Sequence, residues 1–156
     1  PTVIVLKTDA EIDAMRAAGK MTAEILDLIE EHVKPGVSTL ELNDICHEYT
    51  LKNGGVPAPL NYKGFPKSIC TSVNEVVCHG IPNAKQKLKE GDIINIDVTS
   101  IVDGYHGDAS RMYYVGQAIP PVAKKLTEVA RQCLFKGIQA VHDGARTGDK
   151  IGRAHV

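Results

Sequence analysis

The sequence predicts an α+β domain with helices packed on one face of an antiparallel sheet. Three observations predict it. Two capping-box signatures each open a run of apolar residues at helical spacing. The middle of the chain is rich in short β-type runs and carries an Asp-Gly hairpin signal. A third helical run then follows a Pro-Pro pair, which suits the start of a helix.

The opening PTVIVLKTDAEI reads as a first strand or arm leading into a helix, without the basic flank or cleavage site of a signal peptide. TDAE, residues 8–11, opens the first helix, on which Ile12, Met15, Gly19, Thr22, Leu26, Ile29 and Val33 share a face until Pro35-Gly36 stops it. STLE, residues 38–41, opens a shorter helix carrying Leu42, Ile45, Cys46 and Tyr49, which ends at Asn53-Gly54-Gly55. Residues 56–67 hold Pro57, Pro59 and Pro66 without periodicity, which predicts an ordered loop. Three β-rich runs follow: SICTSV, EVVCHGI and DIINIDVTSIV. Asp103-Gly104 is a two-residue turn signal, and YHGDASRMYYVG is the return strand. After Pro120-Pro121, Val122, Leu126, Val129, Cys133, Phe135 and Ile138 mark a third long helix closing near Asp143-Gly144. Residues 147–149 look like the cap of a fourth.

At 156 residues the chain is about one domain. Eighteen basic against nineteen acidic residues give a net charge of -1, which provides no global attraction to nucleic acid or an anionic membrane. The few aromatics are not interleaved with basic residues, so no stacking platform for nucleic acid is expected. No window approaches the roughly 18 apolar residues of a membrane span. Lys85, Lys87, Lys89 and Glu90 read as a solvated loop. Cys46, Cys70, Cys78 and Cys133 form no C-x-x-C pair, so reduced thiols in a cytoplasmic protein are the expectation.

The chemistry centres on Asp97, a carboxylate inside an apolar run, which is costly to bury without compensation. If Asp103-Gly104 is the turn, Val102 faces Tyr105 and Thr99 faces Asp108. Asp97, Thr99, His106 and Asp108 then share one face, with the two carboxylates as diagonal neighbours. Such carboxylates repel, and a divalent cation between them would neutralise both. A solvated hairpin tip with ordinary turn aspartates is the other reading of the same pattern, and Asp103 itself is a turn residue. His79, in an apolar strand, reads either as a hydrogen-bonded core residue or as a catalytic group. His106 reads as a bystander on the acidic face. His32, His47, His142 and His155 fall on surfaces.

KSICTSVNEVVCHGIPN, EGDIINIDVTSIVDGYHGDASRMYYVG and VKPGVSTLEL closely resemble the type I, bacterial-type methionine aminopeptidases, in matching order and separation over residues 7–149. The resemblance implies half of a pita-bread fold, with residues 1–156 as the amino-terminal half of the metallopeptidase domain. It implies removal of the initiator methionine from nascent chains with two cobalt, manganese or iron ions. On that resemblance Asp97 and Asp108 are metal ligands, and His79 is the catalytic histidine that hydrogen-bonds the substrate at the scissile amide. Pro59, Tyr62, Phe65 and Cys70 line the methionine pocket; a cysteine is common at the first of these positions in relatives and a tyrosine at the third. Asn74 and Val76 lend backbone carbonyls to a monovalent cation, sodium or potassium, and Thr99 stands beside the metals.

In that family one histidine and two glutamates, including the general base, come from a second half that the sequence does not match. The chain alone is therefore expected to be inactive or nearly so. An exposed half-fold surface would favour a homodimer. The competing readings are a non-catalytic binding or scaffold module and an Xaa-Pro peptidase of the same fold family. NEVVCHGIPN favours methionine cleavage over the latter.

Overall fold

The computed structural model describes residues 5–151. It divides into two compact units that meet between Ala118 and Ile119. The first unit holds two helices and a four-stranded antiparallel sheet. Helix α1 spans Asp9–Glu30 and α2 spans Thr39–Lys52. Strands β1 (Val56–Pro57), β2 (Cys70–Val73), β3 (Ile93–Val102) and β4 (Tyr105–Tyr114) follow. β3 is central and pairs with the other three. The second unit holds α3 (Pro121–Gln139), with its prolines at the amino-terminal end, and α4 (Thr147–Ile151).

Both capping boxes form. Thr8 Oγ1 accepts from the Glu11 N–H at 3.3 Å, and the Thr8 N–H donates to Glu11 Oε2 at 2.7 Å. Ser38 and Glu41 repeat the exchange at 3.2 and 2.7 Å, and Lys87 Nζ adds a 3.0 Å bond to the same carboxylate. That carboxyl is held down at about 2, chiefly by the Ser38 side chain, then by the Ser38 backbone and Lys87.

Strand β3 explains the layering. Ile94, Ile96, Val98 and Ser100 are buried, while Asn95, Asp97 and Thr99 alternate with them and stay half-exposed. The buried face packs with Ile25, Leu26, Ile29, Leu42 and Cys46 of α1 and α2. Each fully buried Ile or Leu contributes about 1.5–3 kcal/mol. Gly107 lies on the same face of β4, so close to the Ala18 backbone that a Cβ would have no room. Arg111, also on that face, pairs with Asp27 at 2.8 Å and Glu30 at 3.7 Å.

Three expectations need correction. EVVCHGI is not a strand: β2 ends at Val73, and Asn74 turns the chain in a left-handed conformation, φ 52°. Asn74 Nδ2 donates to Asp92 Oδ1 and its Oδ1 accepts from the Ile93 N–H, a long-range brace that propensity does not register. The buried stripe of α1 is Ala18, Met21, Thr22, Ile25, Leu26 and Ile29, whereas Ile12 and Met15 are exposed, because the sheet lies under the later turns only. Val33 is buried but follows the helix. The 56–67 loop contains the short strand β1 and a 3-10 turn at Tyr62–Gly64. Of the proposed opening strand or arm, residues 1–4 lie outside the described residues and residues 5–7 have no regular structure. His155 also lies outside them.

Candidate metal and peptide site

The face of the sheet away from the helices carries the acidic pair. Asp103 and Gly104 both have positive φ, 49° and 83°, as a two-residue hairpin turn of the type favoured between antiparallel strands requires. The register follows: Val102 opposite Tyr105, Thr99 opposite Asp108, Asp97 opposite Ser110. Asp97 and Asp108 are thus diagonal neighbours on one face, with no bulge at Gly107, which stands opposite Ser100. On the other side of β3, Cys70 of β2 stands directly opposite Asp97.

Cys70, Asp97, Thr99 and Asp108 line one cavity of about 600 Å³. Its wall consists of Ala58, Pro59, Tyr62, Lys63, Phe65, Cys70, His79, Asp97, Thr99, His106 and Asp108. The loop that brings Pro59, Tyr62 and Phe65 is tied to β3 by the Ala58 N–H donating to Thr99 O at 2.9 Å, and closes on itself through Asn61 N–H to Phe65 O at 2.8 Å. Asn61 and Lys63 are left-handed, φ 66° and 48°, a strained conformation for side-chain-bearing residues. The Lys63 ammonium stands 5.4 Å from the Tyr62 ring centre, within cation–π range. His79, also left-handed at φ 55°, lines the cavity from the segment that folds back along β2. It is therefore neither a strand residue nor a core histidine.

Burial pushes the Asp97 carboxyl up, the Asp108 charge adds to the rise, and His79 opposes it. Burial likewise pushes the Cys70 thiol up to about 11, assisted by Asp97, Cys78 and Asp108. No Lys or Arg pairs with Asp97 or Asp108 among the described residues. A hard divalent cation would relieve this repulsion, and two carboxylates on neighbouring strands are suitable donors. The donor set is partial: among the described residues no group of three or more His, Cys, Asp or Glu is arranged to hold a metal ion.

The structure brings Pro59, Tyr62, Phe65, Cys70, His79, Asp97, Thr99 and Asp108 together. Asn74 and Val76 are not part of the cavity wall; they occupy the turn after β2, where the Val76 N–H donates to Val73 O. Lys63 and Ala58 were not anticipated from the sequence, although their positions beside Pro59 and Tyr62 were the available signal. His106, the expected bystander, is part of the wall.

A model of metallopeptidase family M24 matches residues 13–155. A methionine aminopeptidase of Rickettsia prowazekii is 59% identical over 152 residues, covering 97% of this chain and 57% of its own length. Methionine aminopeptidase A of a Synechocystis strain is 55% identical, with coverage of 97% and 59%. Among solved structures, the R. prowazekii methionine aminopeptidase superposes with a TM-score of 0.94 at 54% identity, over 97% of this chain and 60% of that one. The Thermotoga maritima methionine aminopeptidase gives 0.92 at 35% identity, with the same coverage. Escherichia coli aminopeptidase P, at 20% identity and a TM-score of 0.80 over 95% of this chain and 32% of that one, shares the fold. The chain thus spans less than two thirds of the relatives it matches.

Proposed function

Because the chain belongs to metallopeptidase family M24, we propose that it is the amino-terminal half of a pita-bread enzyme that removes the initiator methionine from nascent polypeptides in the cytoplasm. Its α+β architecture is that of the corresponding part of the methionine aminopeptidases, and members of a metallopeptidase family act with divalent metal ions. The observation that carries the reading is the placement of Asp97 and Asp108 on one face, in the cavity that also holds His79.

Asp97 and Asp108 would hold two divalent ions, of cobalt, manganese or iron, together with donors from the rest of the relatives' length. When bound, such ions supply Lewis acidity at the scissile carbonyl and favour deprotonation of water near neutral pH. The chain's own residues do the remainder. His79 hydrogen-bonds the scissile amide, Thr99 flanks the carboxylates, and Pro59, Tyr62, Phe65 and Cys70 enclose the unbranched thioether side chain. The carbonyls of Asn74 and Val76 serve a sodium or potassium ion.

Calorimetric titration with Mn²⁺ followed by a Met-Ala-Ser peptide tests this. Heat of Mn²⁺ binding that disappears in Asp97→Asn is the expected result. Peptide binding without any metal dependence would favour the scaffold reading instead. The second partner proposed is a second copy of the chain: β4 pairs with β3 alone among the described strands, and an edge strand is the kind of element that pairs with another chain. A monomeric mass by light scattering at high concentration would refute the dimer.

A further inference from the structure

The cavity wall joins two acidic side chains on the sheet to an ammonium on the loop. Among the described residues Lys63 is the one lysine or arginine of that wall. No carboxylate among them lies within ion-pair distance of it: the ion pairs of the described chain use Arg16, Lys20, Lys87 and Arg111. The Lys63 ammonium rests instead against the Tyr62 ring, 5.4 Å from its centre, and the residue is exposed. The backbone beneath it is fixed by bonds within the loop. The Tyr62 N–H donates to Pro59 O at 3.0 Å, the Gly64 N–H to Asn61 O at 3.4 Å, and the Phe65 N–H to Tyr62 O at 3.0 Å. A cation is thus held on the cavity wall without an acidic partner in the described chain.

We propose that Lys63 sets the cavity's preference for the third residue of a bound peptide, favouring an acidic side chain there. The inference rests on the reading of this cavity as a site for an amino-terminal methionine. An extended peptide turns successive side chains to opposite sides and rises about 3.3 Å per residue. With the methionine side chain against the loop, the second residue points away from that wall. The third returns to it about 6.6 Å further on. Tyr62 belongs to the methionine enclosure, and the Lys63 ammonium stands 5.4 Å from its ring centre, a span close to that two-residue step. A glutamate in the third position therefore meets the ammonium, while the fourth side chain points away from it. The contact lies in an exposed part of the wall, so it discriminates among peptides more than it tightens them all.

The test is a set of dissociation constants, measured by calorimetry on the Mn²⁺-saturated chain with carboxyl-amidated peptides. Met-Ala-Glu-Ser should bind about threefold tighter than Met-Ala-Gln-Ser, the scale of an exposed ion pair. Met-Ala-Ser-Glu should show no such advantage over Met-Ala-Ser-Gln. In about 1 M salt, where the Debye length is about 3 Å, the advantage should disappear. Lys63→Arg should retain it, Lys63→Met should bring the ratio to about one, and Lys63→Glu should invert it. A merely structural role, through the contact with Tyr62, would change both peptides equally and leave the ratio where it was. Equal binding of the Glu and Gln peptides by the native chain overturns the inference, as does an advantage that survives in Lys63→Met. The underlying reading has its own control. If Ala-Ala-Gln-Ser binds as tightly as Met-Ala-Gln-Ser, the methionine site is refuted, and the proposal with it; binding by none of the peptides refutes both.

Discussion

The hydroxyl of Thr22 donates to the carbonyl oxygen of Gly107 at 2.8 Å, fastening the middle of α1 to the residue that precedes Asp108. The same hydroxyl reaches the Ala18 carbonyl at 3.2 Å. One side of β4 is therefore pinned to the helix, and the alternation of the strand turns Asp108 toward the cavity.

Gly107→Ala should destabilise the first unit by about 1–3 kcal/mol, since the added methyl meets the Ala18 backbone and not a side chain that can swing away. Urea unfolding would show a lower midpoint with an unchanged slope. An unchanged midpoint would contradict the packing.

Thr22→Val preserves shape and removes the donor, so the loss should be smaller, about 1 kcal/mol. Amide hydrogen exchange would register it as faster exchange in α1 and β4 than in α2.

Asp108→Asn should lower the Asp97 carboxyl toward its ordinary value, because a like charge that raises it is gone, while burial keeps part of the elevation. Carbon-detected NMR titration of the metal-free chain measures this. Asp108→Asn should also abolish calorimetric Mn²⁺ binding, the outcome expected of Asp97→Asn as well.

Glu41 provides a pH signature. Its carboxyl titrates at about 2 in the folded chain against an ordinary 4.5. A depressed folded value contributes stability that is complete above the unfolded value and is lost as pH falls from 4.5 through about 2. Glu41→Gln should flatten thermal stability in that window and leave its shape near neutrality unaltered. The melting temperature measured by circular dichroism across pH 2–5 tests this.

The positions of Asp97, Thr99 and Asp108 were legible in the sequence because a two-residue turn fixes register and a strand alternates with a period of two, both of which are local rules. The caps of α1 and α2 were legible for the same reason. The segment of residues 75–81 was not. Its composition favours a strand, but Asn74 is locked by Asp92 and Ile93, and bonds across that distance leave no periodic trace. Ile12 and Met15 continue the apolar spacing of α1 beyond the part that the sheet covers. Lys63 enters the cavity wall through a left-handed loop whose path no propensity describes.

The turn at Asp103-Gly104 makes the acidic pair depend on parity. Inserting one glycine between these residues, if the strands re-zipped without a bulge, would exchange inside and outside along all of β4. Asp108 would be driven toward α1 and Gly107 swung out over the cavity. Inserting two would restore the original phase, so a series of such lengthened hairpins should bind Mn²⁺ with an odd–even rhythm.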